Sequence, residues 1–123
     1  MPRAARPEGY SRHHRFTELG AFGPVIRGSS KLRGPLSTLH IAPRNMPESR
    51  FGLALTRRMV PLAVARNRIK RIGREVFRRH AVRHAGLDLV LMLRARIAGE
   101  AEAAFREELA GHFDQALRRA RAA

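Results

Sequence analysis

The chain of 123 residues contains no cysteine, which excludes disulfides, thiolate chemistry and zinc–cysteine sites. Acidic residues are scarce, 10 against 25 lysines and arginines, for a formal net charge of +15. Between positions 50 and 99 the only acids are Glu75 and Asp88. A metal-dependent nuclease that works alone gathers several carboxylates around its ions, so a metal site made by this chain is not expected. Glu75 lies among arginines and reads as an intrahelical salt-bridge partner, and Asp88 reads as a turn or edge residue. The acids of the last segment alternate with arginine and read as a solvated face. No apolar run approaches the length of a membrane span, and the basic N-terminus lacks the apolar stretch of a secretory signal. Also missing are a glycine-rich nucleotide loop, a serine nucleophile motif and a third ligand to join His80 and His84, four residues apart. Those two histidines read as ordinary surface residues. The chain offers a binding surface without a reaction centre.

What is present is arginine. All the basic residues except Lys31 and Lys70 are arginines, and with 44% hydrophobic residues the chain is a folded basic domain rather than a basic tail. The length bounds one domain with a modest core. The charge is uneven. Residues 57–84 carry ten lysines and arginines and one acid, a net of +9, whereas residues 99–123 carry five acids and four arginines, a net of −1. One end binds polyanion and the other mainly folds.

The centre of the chain is residues 65–80. At 100° per residue, Ala65, Ile69, Ile72 and Val76 fall in one narrow arc, the side that packs. Arg66, Lys70, Arg74 and Arg78 run down a neighbouring face, widened by Asn67 and Arg71, while Arg68 and Arg79 flank the remaining side. Like charges four residues apart repel, so this helix is destabilised by its own surface until a polyanion neutralises it. Solvated faces usually mix signs, and this one is almost purely positive. Arginine forks suit phosphate oxygens and base edges and stack on exposed bases, which points to nucleic acid.

Around that helix the pattern predicts an α+β sandwich with a sheet covered by helices. Residues 1–15, with Arg3, Arg6, Arg12 and Arg15, form a basic N-terminal arm, and residues 16–120 form the domain. Phe16, Leu19, Phe22, Val25 and Ile26 predict a short helix ending near Gly28, with Pro24 confined to a first turn. Residues 28–35 read as a basic loop and residues 36–42 as a strand. In residues 50–56, Phe51, Leu53 and Leu55 face one way and Gly52, Ala54 and Thr56 the other. The small face either leaves room for a ligand or lies under a helix. Pro61 opens the central helix, and Gly86 closes the linker after it. Residues 87–93 form a nearly continuous apolar run, as in a central strand. Ala101, Phe105, Leu109, Phe113, Ala116 and Leu117 make the core stripe of a last helix.

The segment Arg66-Asn67-Arg68-Ile69-Lys70-Arg71, followed by Arg74-Glu75 and Phe77-Arg78, resembles the arginine-rich signature of the bacterial ribonuclease P protein subunit. The preceding Phe51-Gly52-Leu53-Ala54-Leu55-Thr56-Arg57-Arg58 is similar to that family's strand ending in two basic residues, at fitting spacing. Phe16, and Phe22 through Gly28, resemble its first helix, and Asp88 through Arg94 its last strand. The pattern departs at Gly23-Pro24, at Ile26 where an aromatic is common, and at Ala95-Arg96 after Arg94.

The resemblance implies a small single-domain α/β sandwich of about four strands, with the central helix following a left-handed crossover, an exception to the usual hand. It implies that a large RNA subunit, with Mg2+, hydrolyses the phosphodiester that joins the 5′ leader to precursor tRNA. On that resemblance the protein would have no catalytic residue and no cofactor of its own, and would assist by binding. Arg57, Arg58, Arg66, Asn67, Arg68, Lys70, Arg71 and Arg74 would bind the catalytic RNA, and Phe22, Ile26, His40 and Arg94 the single-stranded leader. The expected partners are ribonuclease P RNA and precursor tRNA, with no membrane, and a protein monomer within a bacterial cytoplasmic ribonucleoprotein. Size and charge alone equally allow a structural RNA-binding protein of ribosomal type. A DNA-binding module is a further alternative, although successive turns of the helix are too uniformly basic for a base-reading surface.

Overall fold

The computed structural model describes residues 22–28 and 30–122. In chain order these form α1 (Phe22–Arg27), β1 (Ser30–Arg33), β2 (Ser37–Pro43), β3 (Arg50–Ala54), α2 (Ala63–Arg78), a 3-10 turn (Ala81–His84), β4 (Leu87–Leu93) and α3 (Ala101–Ala122). The expected arm at residues 1–15, and Phe16 and Leu19 of the first helix, lie outside the described residues. Pro24 is the third residue of α1, a first-turn position that costs no helical hydrogen bond.

The four strands form one sheet in the order β1-β2-β4-β3. β1 pairs with β2 and β2 with β4 antiparallel, whereas β3 and β4 run parallel. Two parallel neighbours need a crossover, and α2 supplies it. β4 is therefore the central strand that its apolar run predicts, with sheet neighbours on both edges. Two features depart from the sequence reading. Residues 30–33 are a strand rather than loop, because Leu32 alone of that segment is buried, while Lys31 and Arg33 mark a charged edge strand. Asp88 is neither turn nor edge: it is buried within β4, where Arg50 Nε and Nη2 each donate to its carboxylate at 2.8 Å.

Residues directly opposite one another across the sheet share a face. Leu32, Leu39, Leu91 and Leu53 form one such row, and Ile41, Leu89 and Phe51 another. Both rows face α2 and α3 and build the core. Phe51 of β3, Phe77 of α2 and Phe113 of α3 meet there, all fully buried. Phe51 stacks on Phe77 at 5.3 Å and takes Phe113 edge-on at 5.2 Å. At Gly73 the helix comes so close that an added Cβ would stand 2.9 Å from Leu53 Cδ2. The opposite face carries the row Lys31, His40, Val90 and Gly52 and the row Arg33, Thr38, Met92 and Ala54. There α1 lies over β2 and β4, with Val25 buried outside the main core. The small face of β3 is thus not under α2, which packs on the bulky face instead.

Candidate nucleic-acid interface

α2 begins after Leu62, which makes no side-chain capping bond, and its first turn holds no acid. Its buried residues are Ile69, Ile72, Gly73 and Phe77. Ala65 and Val76 of the predicted arc are half-buried against the same core, so the packed face is turned slightly toward Gly73 and Phe77. Arg79 and His80 lie beyond the end of the helix.

The outward face is cationic, and its members have different tasks. Arg66 Nη1 donates to the carbonyls of Val60 and Pro61, both at 2.9 Å, and ties the helix start to the incoming chain. Arg68 forms a two-pronged pair with Glu102 of α3: Nη2 reaches Oε1 at 2.8 Å and Nε reaches Oε2. The Arg68 hydrogen bonds, and then its charge, hold the Glu102 carboxyl below the usual range. The same hydrogen bonds raise the Arg68 guanidinium above its own. Glu75 pairs with Arg79 four residues on, at 3.6 Å, as the sequence suggests, and with Arg106 of α3 at 3.9 Å. Lys70 and Arg71 have no ion pair among the described residues, nor do Arg57 and Arg58, exposed just beyond β3. Asn67 and Arg74 are exposed on the same helix. An ammonium and a guanidinium without carboxylate partners, Lys70 and Arg71 on one rigid helix, suit phosphate oxygens.

The residues expected to hold a leader lie on the other side of the sheet. Phe22 and Ile26 are half-buried on α1, which covers β2, the strand that carries His40. His40 is only 5% exposed, and burial, followed by the charge of Lys31, pushes its pKa down. Arg94 sits past the end of β4 and donates to the Gly34 carbonyl at 2.7 Å, whereas His40 lies opposite Val90 in the middle of that strand. The structure therefore gathers Phe22, Ile26 and His40 on one face, with Arg94 at its end.

Several carboxylates and histidines have work that the sequence reading did not assign. Glu108 is not on a solvated face: its carboxylate accepts from the Leu36 amide at 3.1 Å and from Ser37 Oγ at 2.6 Å, stapling α3 to the β1–β2 turn. His112 Nε2 lies 3.2 Å from the same Ser37 Oγ. Burial pushes the His112 pKa down, against the pull of Glu108. Only the i,i+4 spacing of Glu108 and His112 hints at this cluster in the sequence, because its third member is far away in the chain. His80 Nδ1 accepts from the Val82 amide at 2.9 Å, so its proton is on Nε2, 2.7 Å from Asp114 Oδ1. His80 is thus a capping residue, and His84 lies in the following 3-10 turn. Arg78, Arg79, Arg83 and both histidines line a concavity of about 260 Å³ there. No group of three or more metal-type side chains converges among the described residues, and none of their helices is long and apolar enough to cross a membrane.

Fold and surface together define a small basic α+β domain of the RNA-binding class. The family model for ribonuclease P matches residues 10–119. The ribonuclease P protein component of Thioalkalivibrio sulfidiphilus is 33% identical over 102 residues, covering 83% of this chain and 85% of that protein. The protein of the same name from an Azoarcus species is 30% identical over 106 residues, covering 86% and 88%. The solved ribonuclease P protein of Staphylococcus aureus has the same fold, with a TM-score of 0.64 at 18% identity over 87% of this chain and 94% of that one. That of Thermotoga maritima gives 0.62 at 24% identity, over 81% and 91%. The chain belongs to the ribonuclease P family, and its place there is that of the protein subunit. This membership sets aside the ribosomal-protein alternative.

Proposed function

We propose that this chain binds the catalytic RNA of ribonuclease P along the outer face of α2 and the 5′ leader of precursor tRNA on the sheet face beside α1. The RNA subunit, with Mg2+, then carries out the hydrolysis that frees the tRNA 5′ end. The observation that carries this reading is the pair Lys70 and Arg71 on the basic stripe of α2, which stand without carboxylate partners among the described residues. Two acids support this division of labour. Glu75 is engaged by Arg79 and Arg106, and Asp88 by Arg50 and Arg44, so these two carboxylates do not fit a magnesium site. Phe22 and Ile26 supply apolar surface for single-stranded nucleotides, and Lys31, Arg33 and Arg94 supply charge at its border. His40 lines the floor between them. In this reading one copy of the protein works in each ribonucleoprotein, in the cytoplasm of a bacterium.

The test is cleavage of precursor tRNA by a bacterial ribonuclease P RNA at low magnesium, with and without the protein. Strong stimulation by the wild type, lost on changing Lys70 and Arg71 together to alanine, is the expected result. RNA binding without stimulation would return the chain to a purely structural RNA-binding role.

A further inference from the structure

Most of the outward face of α2 is cationic, but its start is not. Leu62 and Val64 are 70% and 81% exposed, more than any other large hydrophobic residue among the described ones. Pro61 and Ala63 beside them are exposed as well. Helical spacing carries Val64 onto the stripe of Asn67, Arg68 and Arg71, which stand three, four and seven residues further on and are all exposed. Arg57 and Arg58 lie exposed on the other side of this segment in the chain. The core side of the helix is already filled by Ile69, Ile72 and Phe77, so Leu62 and Val64 are not core residues turned outward. An apolar head thus continues directly into a phosphate-binding stripe.

We propose that Leu62 and Val64 seat an unpaired nucleobase of the RNA held by α2, an inference that rests on the RNA-binding reading above. A duplex displays phosphates, hydroxyls and base edges, none of which gains from a leucine or valine methyl, and it hides the base faces in the stack. An unstacked base in a loop or bulge has a bare face, and burying it against aliphatic carbon removes both from water. Arg71, two turns further along, is placed to take a phosphate on the strand that carries this base, and Arg68, one turn along, joins it once Glu102 is displaced. The alternative occupant, a second copy of this chain, would bring the same positive charge to a surface with no compensating acid in its first turn.

The test is titration of a transcribed bacterial ribonuclease P RNA at several salt concentrations. It uses the wild type, a Leu62→Ala and Val64→Ala double variant, Val64→Thr, Val64→Ile, and a Lys70→Ala and Arg71→Ala double variant. The apolar double variant is expected to bind about three- to tenfold more weakly at every salt concentration with an unchanged salt slope, because an apolar contact releases no counterions. Val64→Thr, close in shape but polar, should weaken binding, and Val64→Ile should restore it. One unpaired nucleotide protected from base modification by the wild type should become reactive with the double variant. Alanine is the better helix former, so α2 survives, and thermal melting monitors that. Wild-type affinity of the apolar variant at every salt concentration would overturn the proposal. So would a loss of affinity that tracks a change of association state in sedimentation. The Lys70 and Arg71 variant reports on the RNA-binding reading separately: an unchanged salt slope there removes that reading, and this proposal with it.

Discussion

Arg68 of α2 and Glu102 in the first turn of α3 form a bidentate ion pair on the protein surface, so one fork of the basic stripe already holds a carboxylate. A carboxylate presents two oxygens much as a phosphate does. RNA that uses Arg68 must therefore displace Glu102 or accept its repulsion.

Replacing Glu102 with glutamine should raise affinity for ribonuclease P RNA a few-fold. It should also steepen the dependence of log affinity on log salt by about 0.7, the contribution of one added single-strand phosphate contact. Titrations at three or more salt concentrations measure both. A fall in affinity would mean that Glu102 aims Arg68 rather than screens it.

The approach of α2 to β3 at Gly73 leaves no space for a side chain. Gly73→Val should destabilise the fold by about 1–3 kcal/mol, the usual cost of overpacking, despite the better intrinsic helix propensity of valine. Urea unfolding followed by circular dichroism measures it. RNA affinity per folded molecule should fall too, because displacing α2 from Leu53 tilts the basic stripe.

Asp88→Asn removes the charge that Arg50 and Arg44 share. Breaking a fully buried pair costs about 3–5 kcal/mol, but the Arg50 side chain keeps 25% exposure, so a loss of about 2–3 kcal/mol is expected in chemical denaturation. The effect should appear without a change in the salt slope of RNA binding.

Stability should fall as pH drops from 7.5 to 5.5. His112 and His40 are both held below the ordinary histidine value of 6.5, chiefly by burial. The unfolded chain then binds more protons than the folded one across that window, so stability rises with pH there and is lost progressively on acidification below 6.5. The Glu102 pair lies outside this window, since a lowered carboxyl costs stability only as pH falls through the carboxylate range. The urea midpoint at each pH gives the curve, and His112→Gln should flatten it.

Much of the fold was legible because it follows from periodicity. The α2 arc, the stripe of Phe105, Leu109, Phe113 and Ala116, and the apolar run of β4 all rest on local spacing. Ile69 and Ile72, the stripe and Leu87 through Leu91 are buried as expected, while Ala65 and Val76 are half-buried. β1 was not legible, since a strand of four residues with one buried side chain carries no alternation to read. Asp88 and Glu108 were misread for a shared reason. A carboxylate looks like surface until its distant partners are known, and Arg50 and Ser37 are 38 and 71 residues away in the chain. In the basic stripe, composition found the set but could not rank its members. Arg66 and Arg68 look the same as Lys70 and Arg71 in sequence, yet the first two are tied to Val60, Pro61 and Glu102.

The strand order β1-β2-β4-β3 also bears on synthesis. β2 and β3 never touch as sheet neighbours, and they are joined only when β4, the last strand made, slides between them. A nascent chain that has emerged as far as the 3-10 turn holds a hairpin, a lone strand and a self-repelling basic helix, with no backbone ladder linking them. The element proposed to bind RNA thus leaves the ribosome before the scaffold that aims it, in a setting crowded with RNA.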